Sequence, residues 1–508
     1  MDQGTQSGSS ENRCLPRPGQ FHSLGRLSSP LPLLSAVVTL GIDSGTQSTK
    51  AILFDLKRSR VIGTGSAPHP LLPQRNPAVK EQDPRDWIRA FRTAVNQALA
   101  SAPAGTARRV AGMSVSGQQH GFVPLDRNDQ VIRPAKLWCD TSTATEAEGI
   151  IKRNGGLRRL IQKTGNGLPA GFTASKILWL KKHEPRHYAR LSSVLLPHDY
   201  LNFWLTREKT MEYGDASGTG FFDVRRRKWS ESVLRSIDSK LISFLPRLIS
   251  PGGTAGDLSV SSAKVLGLPS GIPVGPGGGD NMMGAIGTGN VCPGVVTLSL
   301  GTSGTIYAYS DRPIIDPRGE VAAFCDSTGG WLPLVCTMNV TVATEAMGKA
   351  LRLSHDQWTR LAARVPSGSN GLKFIPYLQG ERTPNLPHAT ASYQGLNLEN
   401  FTAGHIARAT LEGITQGLDY GLQRLRSLGI RPREIRLTGG GSKNALWRQI
   451  LADTLGTTVI KMESMEGAAL GAALQAAWVV TGGGRKNLQT ITNRHIRLDR
   501  KSLCRPAT

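Results

Sequence analysis

One turn occurs twice in this sequence. Val38-Thr39-Leu40-Gly41-Ile42-Asp43-Ser44-Gly45-Thr46-Gln47-Ser48-Thr49 is echoed by Val296-Thr297-Leu298-Ser299-Leu300-Gly301-Thr302-Ser303-Gly304-Thr305. Each copy is a β-branched run that reads as a buried strand, then a tight Gly-Thr-rich turn, then a second apolar run, Ala51 to Phe54 and Ile306 to Tyr309. The tip of such a hairpin presents backbone N–H groups and hydroxyls. It suits phosphate, because glycine lets the backbone approach closely and successive N–H groups form an anion-binding concavity. Two tips, one per half of the chain, point to a single polyphosphate held between two related domains.

The length supports that division. A chain of 508 residues is long for one core, so two domains are expected, with room for a third. The 39% hydrophobic and 19% charged content, with 58 glycines, describes a loop-rich α/β protein rather than a fibre or a disordered chain. No run approaches the roughly 18 apolar residues of a membrane span, so no membrane partner is expected. The six cysteines are scattered without a C-x-x-C pair, so neither a disulfide framework nor a zinc site is encoded and a reducing, cytoplasmic setting fits. The formal charge of +24 raises nucleic acid as a partner, but the charge is spread out. Its one dense cluster, Arg225-Arg226-Arg227-Lys228 beside Trp229, lacks the aromatic interleaving of a strand-binding groove and reads as a solvated turn. Residues 1–36 are rich in Ser, Gly, Pro and Arg and carry no packing periodicity. They read as a disordered extension, with an organelle-targeting segment or a misassigned start codon as the alternatives.

From Val37 short apolar strands alternate with helical stretches. Val110 to Ser116 is a strand running into Gly117-Gln118-Gln119-His120-Gly121, and Val123 to Asp126 follows across a turn. Ile406, Leu411, Ile414, Leu418, Leu422 and Leu425 mark an amphipathic helix. Gly413, Gly417 and Gly421 run along it, a stripe that predicts another backbone packed close, since each glycine otherwise costs about 1 kcal/mol against Ala. Glycine-rich breaks fall at residues 250–254 and 270–279, and the hinge between domains is expected around residues 281–295, dividing the chain into 37–288 and 289–508.

Several pattern matches fail on physical grounds. His183-Glu184-Pro185-Arg186-His187 has zincin spacing, but both histidines must share one continuous helix and Pro185 interrupts it. Residues 165–170 match a dinucleotide fingerprint only loosely, with Pro169 where the helix should open. No G-x-x-x-x-G-K-[ST] occurs, so a nucleotide site here is not a P-loop.

Asp280, in Gly277-Gly278-Gly279-Asp280-Asn281, is the best catalytic candidate: a carboxylate on a glycine-rich turn can reach a substrate hydroxyl unobstructed and act as general base. Asp43, at the start of the first phosphate turn, suits a hard cation held through water, as magnesium usually is when shared with phosphates. Gln119 and His120 sit at a strand end, where α/β proteins bind ligands, and suit a polyhydroxylated substrate. Thr438-Gly439-Gly440-Gly441-Ser442-Lys443-Asn444 follows the strand Glu434 to Leu437 and precedes a helix, a place for a nucleoside to rest on bare backbone. Each of these sites has an ordinary turn or capping reading beside the functional one.

From about Val37 to its end the chain resembles the FGGY carbohydrate kinases. Gly171-Phe172-Thr173-Ala174-Ser175-Lys176-Ile177-Leu178-Trp179-Leu180-Lys181-Lys182-His183 fits that family's first signature. Ala391-Ser392-Tyr393-Gln394-Gly395-Leu396, with His405-Ile406-Ala407-Arg408-Ala409-Thr410-Leu411-Glu412, fits the second. Leu196-Pro197-His198-Asp199-Tyr200-Leu201, Asp215-Ala216-Ser217-Gly218-Thr219 and Gly380-Glu381-Arg382-Thr383-Pro384 look most like members that act on ketopentoses. The resemblance implies two actin-like (ribonuclease H-like) α/β domains, each a five-stranded mixed sheet flanked by helices, closing an interdomain cleft over Mg-ATP and a sugar. It implies ATP-dependent phosphorylation of D-xylulose, with ribulose or another ketose or polyol as the alternative and an inactive sugar-binding regulator as the third reading. By the same carry-over Asp280 is the base and Asp43 organises magnesium. Gly45, Thr46, Gln47, Gly301, Thr302 and Ser303 contact phosphates, and Gly440, Gly441 and Asn444 contact the nucleoside. Gln119, His120, Asp280 and Asn281 contact the ketose. Gln119 departs from the pattern, since many bacterial members carry Met there. A homodimer is compatible with these features.

Overall fold

The structure, a computed structural model, describes residues 37–507 apart from residue 465. The N-terminal extension therefore lies outside the described residues. The first sheet begins with the hairpin of β1 (Val38–Ser44) and β2 (Ser48–Asp55), and β3 (Arg60–Pro68) continues it antiparallel. Helix α1 (Pro84–Ser101) crosses back, capped by Asp83 with Pro84 in its first turn, and delivers β4 (Val110–Gly117) parallel to β1. Much later β5 (Gly256–Asp257), β6 (Pro273–Val274) and β7 (Gly278–Gly279) complete the order β5-β6-β4-β1-β2-β3, with β7 also on β4. Between β4 and β5 lie α2 (Thr173–His183) and α3 (Pro197–Thr206), and α4 (Asp280–Gly287) starts directly after β7.

The second sheet repeats the plan. β8 (Val295–Leu300) and β9 (Gly304–Ala308) form its hairpin, and β10 (Ala322–Cys325) and β11 (Trp331–Thr337) extend it antiparallel. After the long helix α5 (Ala403–Ser427), β12 (Glu434–Thr438) returns parallel to β8. Then come α6 (Ala445–Leu455), β13 (Thr458–Met462), α7 (Gly467–Thr481) and β14 (Leu498–Cys504), in the order β10-β11-β9-β8-β12-β13-β14. The cores β3-β2-β1-β4-β6 and β11-β9-β8-β12-β13 match strand for strand and direction for direction. The expected five-stranded sheet is thus the shared core, and each sheet is seven-stranded, because short edge strands such as β5 and the polar β14 carry too little hydrophobic pattern to be read from sequence.

Both sheets are covered on two faces, as their parallel central strands require. Val38, Leu40 and Ile42 pack with Trp87 and Phe91 of α1, and Val296, Leu298 and Leu300 pack with Ile414, Leu418 and Leu422 of α5. Helix α7, although late in the chain, lies on the first sheet: a Cβ at Gly41 of β1 would fall 2.0 Å from the Ala469 carbonyl oxygen. It crosses α4 just as closely, since a Cβ at Gly471 would fall 1.8 Å from Met283 O and one at Gly287 1.7 Å from Gly467 O. The glycine stripe of α5 is less uniform than expected. Gly413 does meet a backbone, Phe374 O at 2.0 Å, but Gly421 meets the Val335 side chain and Gly417 only Pro376 at 3.8 Å. Among the described residues no helix is long and apolar enough to cross a membrane.

The contact between β1 and α7 sets a stability test. Gly41→Ala should lower the urea midpoint by the equivalent of about 1–3 kcal/mol or more, since the added methyl meets the fixed backbone of α7 at Ala469 and Ala473. Gly440→Ala, with nothing near its added Cβ, should leave the midpoint within about 0.5 kcal/mol of the parent. Equal midpoints for the parent and Gly41→Ala would contradict the packing.

Candidate active site

Parallel pairing places the loop of Gln119 and His120 and the turn of Asp280 side by side. β7 pairs with Ser116 and Gly117 at the end of β4, so Gln119 and His120 leave one strand where Asp280 and Asn281 leave its neighbour. The Asn281 amide donates to Gln119 Oε1 at 3.0 Å, and Gln119 Nε2 lies 3.3 Å from Met282 Sδ. Gly279 is obligatory between them, because its Cβ would stand 2.4 Å from the Gln119 side chain. Gln119, His120, Asp280 and Asn281 line one cavity of about 620 Å³ together with Gly301, Thr302 and Ser303 of the second hairpin tip. Seven residues singled out in the sequence therefore share one space, drawn from both halves of the chain.

Asp280 is the first residue of α4, where the helix dipole and two donors from Asn281, its backbone N–H at 2.8 Å and its amide at 2.9 Å, favour the carboxylate. Burial and the negative charge of Asp43 oppose them and win, raising the Asp280 carboxyl to about 7. Asp43 ends β1 and accepts from Ser116 Oγ at 3.0 Å. Burial, aided by Glu466, lifts it to about 6 against the pull of Ser116 and Lys50, and Lys50 is itself paired with Glu466 at 3.1 Å. Two buried carboxylates, of which Asp43 raises the affinity of Asp280 for protons, form a site that a hard cation would relieve. His120 is held neutral, well below the ordinary imidazole range, by burial and by the charges of Lys176 and Arg382.

The hairpin tips differ in their freedom. In the first, the Gly45 N–H closes the turn on Ser48 C=O at 3.1 Å, Thr46 Oγ1 accepts from the Trp138 indole at 2.9 Å, and Gln47 C=O accepts from His69 N–H. Gly45, Thr46, Gln47 and Asp43 do not line the 620 Å³ cavity. In the second tip the carbonyls of Gly301 and Thr302 are anchored by Thr341 and Val340, and Gly301, Thr302 and Ser303 line the cavity. Gly440 and Gly441 form a 3-10 turn against Leu300, the residue just before that tip, with Gly440 open to solvent. Asn444 caps α6 through Trp447 N–H at 3.1 Å and donates to Thr359 at 2.9 Å, so its amide is engaged within the fold.

A buried ion network lies beneath the Asp280 turn. His198 Nδ1 donates to Asp215 at 2.6 Å and Nε2 donates to Pro276 C=O at 2.9 Å. Burial would lower the imidazole, but Asp199, Asp215 and Glu212 outweigh it and raise it to about 10. His198, Asp199 and Asp215 sit within metal-ligand reach of one another, but the direct bond between His198 and Asp215 fills the space an ion would take. Gln475 of α7 grips Gly277 from the other side, accepting from its N–H at 2.8 Å and donating to its C=O at 3.1 Å. The zincin match dissolves as expected: α2 ends at His183, which reaches Glu146, while His187 bonds Glu184 in a separate short helix. The cavity also gains walls that the residue-by-residue reading passed over, Trp138, Phe172, Phe324 and Arg382. For Phe172 and Arg382 the signal was present in the quoted motifs. Phe324, on β10, had none.

Comparison with known proteins agrees with this geometry. Residues 38–287 match the N-terminal domain of the FGGY family of carbohydrate kinases, and residues 296–480 match its C-terminal domain. The chain belongs to the FGGY family of carbohydrate kinases. A xylulose kinase of Haemophilus influenzae is 43% identical over 472 residues, 92% of this chain and 95% of the relative. One of Streptomyces coelicolor is 39% identical over 88% of each. The crystal structure of xylulose kinase from Bifidobacterium adolescentis superposes with a TM-score of 0.80 at 32% identity, covering 93% of this FGGY chain and 97% of that one.

The raised Asp280 carboxyl has a consequence for stability. A group whose affinity for protons rises on folding stabilises the folded state in its protonated form, and that contribution is lost as pH climbs from about 4 through about 7. Asp280→Asn, uncharged throughout, should therefore melt above the parent at pH 8 and converge with it near pH 4. A variant that melts below the parent at pH 8 would contradict the assigned environment.

Proposed function

We propose that this FGGY kinase transfers the γ-phosphoryl group of ATP to D-xylulose, giving D-xylulose 5-phosphate. The observation that carries the reading is the shared cavity: polar groups suited to a ketose, a carboxylate poised near neutrality and a phosphate-type hairpin tip face one another, in a chain whose relatives are named xylulose kinases. Asn281, Gln119 and His120 would hold the ketose with its terminal hydroxyl at Asp280. Asp280 takes the hydroxyl proton as the oxygen attacks the γ-phosphorus, and ADP leaves as the new P–O bond forms. Phosphoryl transfer asks mainly for alignment and charge neutralisation, and the tip at Thr302 and Ser303 supplies donors on the phosphate side. The first tip and the turn at Gly440 and Gly441 carry the rest of the nucleotide in this reading.

A magnesium ion fits the acidic pair, since Asp43 and Asp280 offer hard oxygen donors whose mutual repulsion a cation would cancel. Asp43 is the residue that would hold it through water, and the ion's chemistry there is to neutralise and align the phosphates. Because the Gln119 amide is engaged by Asn281 and Met282, Gln119 supports its neighbours, and the choice among ketoses rests more on His120 and Asn281.

A coupled ATPase assay over xylulose, ribulose and a panel of polyols tests the reading: xylulose should give the highest kcat/KM. A tenfold preference for another sugar would reassign the substrate. Asp280→Asn should lower kcat by roughly 10²–10⁴ with ATP affinity kept. The parent's kcat/KM for ATP, which reports the free enzyme, should fall with decreasing pH through about 7 as the base protonates. A kcat within a few-fold of the parent in Asp280→Asn would remove Asp280 as the base.

A further inference from the structure

Lys176 is wholly buried on α2, and its ammonium is given to main-chain oxygens: Nζ donates to His120 C=O at 2.8 Å and, more closely still, to Gly171 C=O. Among the described residues no carboxylate stands within ion-pair distance of it. Asp140, the nearest acid acting on it, is bonded to Lys136 and Ser142. Burial lowers the Lys176 amine to about 7, so a lysine facing neutral carbonyls is an expensive way to fill space that Met would fill at lower cost. The carbonyl it holds belongs to a residue in an uncommon conformation. His120 has φ of 62°, in the left-handed region that side-chain-bearing residues rarely adopt and that clusters at functional sites. Thr173 Oγ1, one turn before Lys176, donates to the same oxygen at 3.2 Å.

The ring itself is fixed by what surrounds it. Its Nδ1 is buried against Gly218, where a Cβ would stand 1.9 Å away, so the opposite edge of the ring is the one that lines the cavity. Phe172 and Phe324 lie at centroid distances of 4.6 and 5.6 Å. Neither aromatic contact determines the backbone turn that brings the imidazole there. The pair of donors from α2 does, and through Gly171 C=O the same Lys176 ties the His120 loop to the segment that leads into α2.

We propose that Lys176 is the positioning residue for ketose recognition: its ammonium locks the His120 peptide in the left-handed turn that presents the imidazole to the sugar. This rests on the ketose-kinase reading above. In the full-length protein, Lys176→Met should raise KM for xylulose about tenfold or more, the scale of losing one well-placed hydrogen bond to substrate. kcat at saturating ketose and KM for ATP should stay within about threefold. His120→Ala should give a similar rise, and the double variant no further one, because both changes remove the same contact. A ketose KM unchanged in Lys176→Met, or increases that multiply in the double variant, would overturn the assignment. So would a loss confined to kcat and ATP affinity. Should Lys176→Met fail to fold, Thr173→Val removes the second donor at constant volume, and its higher ketose KM should be restored by Thr173→Ser; an unchanged KM in Thr173→Val overturns the proposal equally. A parent enzyme inactive on every ketose defeats both readings, whereas an active parent with Lys176→Met unaltered defeats this one alone.

Discussion

The site depends on the meeting of two carboxylates, Asp43 at the end of β1 and Asp280 at the start of α4. Each is lifted toward neutrality by burial, and Asp280 further by Asp43. The fold holds them there by geometry that leaves little freedom. β1 and β7 flank β4, so their ends open on the same edge of the sheet. Gln475 and His198 fix the chain three and four residues before Asp280. Such an arrangement is unfavourable in the empty protein and becomes favourable when a cation and a polyphosphate enter. Stability is thus given up at the place where the chemistry needs it.

The duplicated sheet explains why phosphate, sugar and base converge. Each half contributes a hairpin, the second of which puts its tip against the cavity, and the second half returns α7 to the first sheet across Gly41. That helix touches β1 and α4 and supplies Gln475, so it couples the second half of the chain to the turn bearing Asp280. On the proposed reading, sugar selectivity rests on His120, whose backbone carbonyl Lys176 and Thr173 of α2 hold.

The parts legible in the sequence were those with local signatures. Strand, glycine turn, strand gave both hairpins at nearly their observed bounds, and glycines before Asp280 marked a carboxylate that no side chain could screen. The amphipathic period gave α5. Long-range placements were not legible. Nothing near residue 467 says that its helix belongs on β1, and nothing in Ala322–Cys325 says that Phe324 will face His120. Asn444 shows the opposite case, a polar residue in a suggestive turn whose amide is engaged in capping and a cross-link. Burial of Lys176 without a carboxylate partner is likewise a fact of packing, invisible in a motif that reads as an ordinary basic helix.

The most direct test is the titration of Asp280 itself, followed by carboxyl NMR in protein labelled at aspartate and assigned through Asp280→Asn. The resonance should titrate near pH 7 in the free enzyme, move downward in Asp43→Asn as the like charge is removed, and move downward again when Mg-ATP is added to the parent. A carboxyl that titrates near 4 in the free parent, indifferent to Asp43, would contradict the paired-carboxylate account of this site.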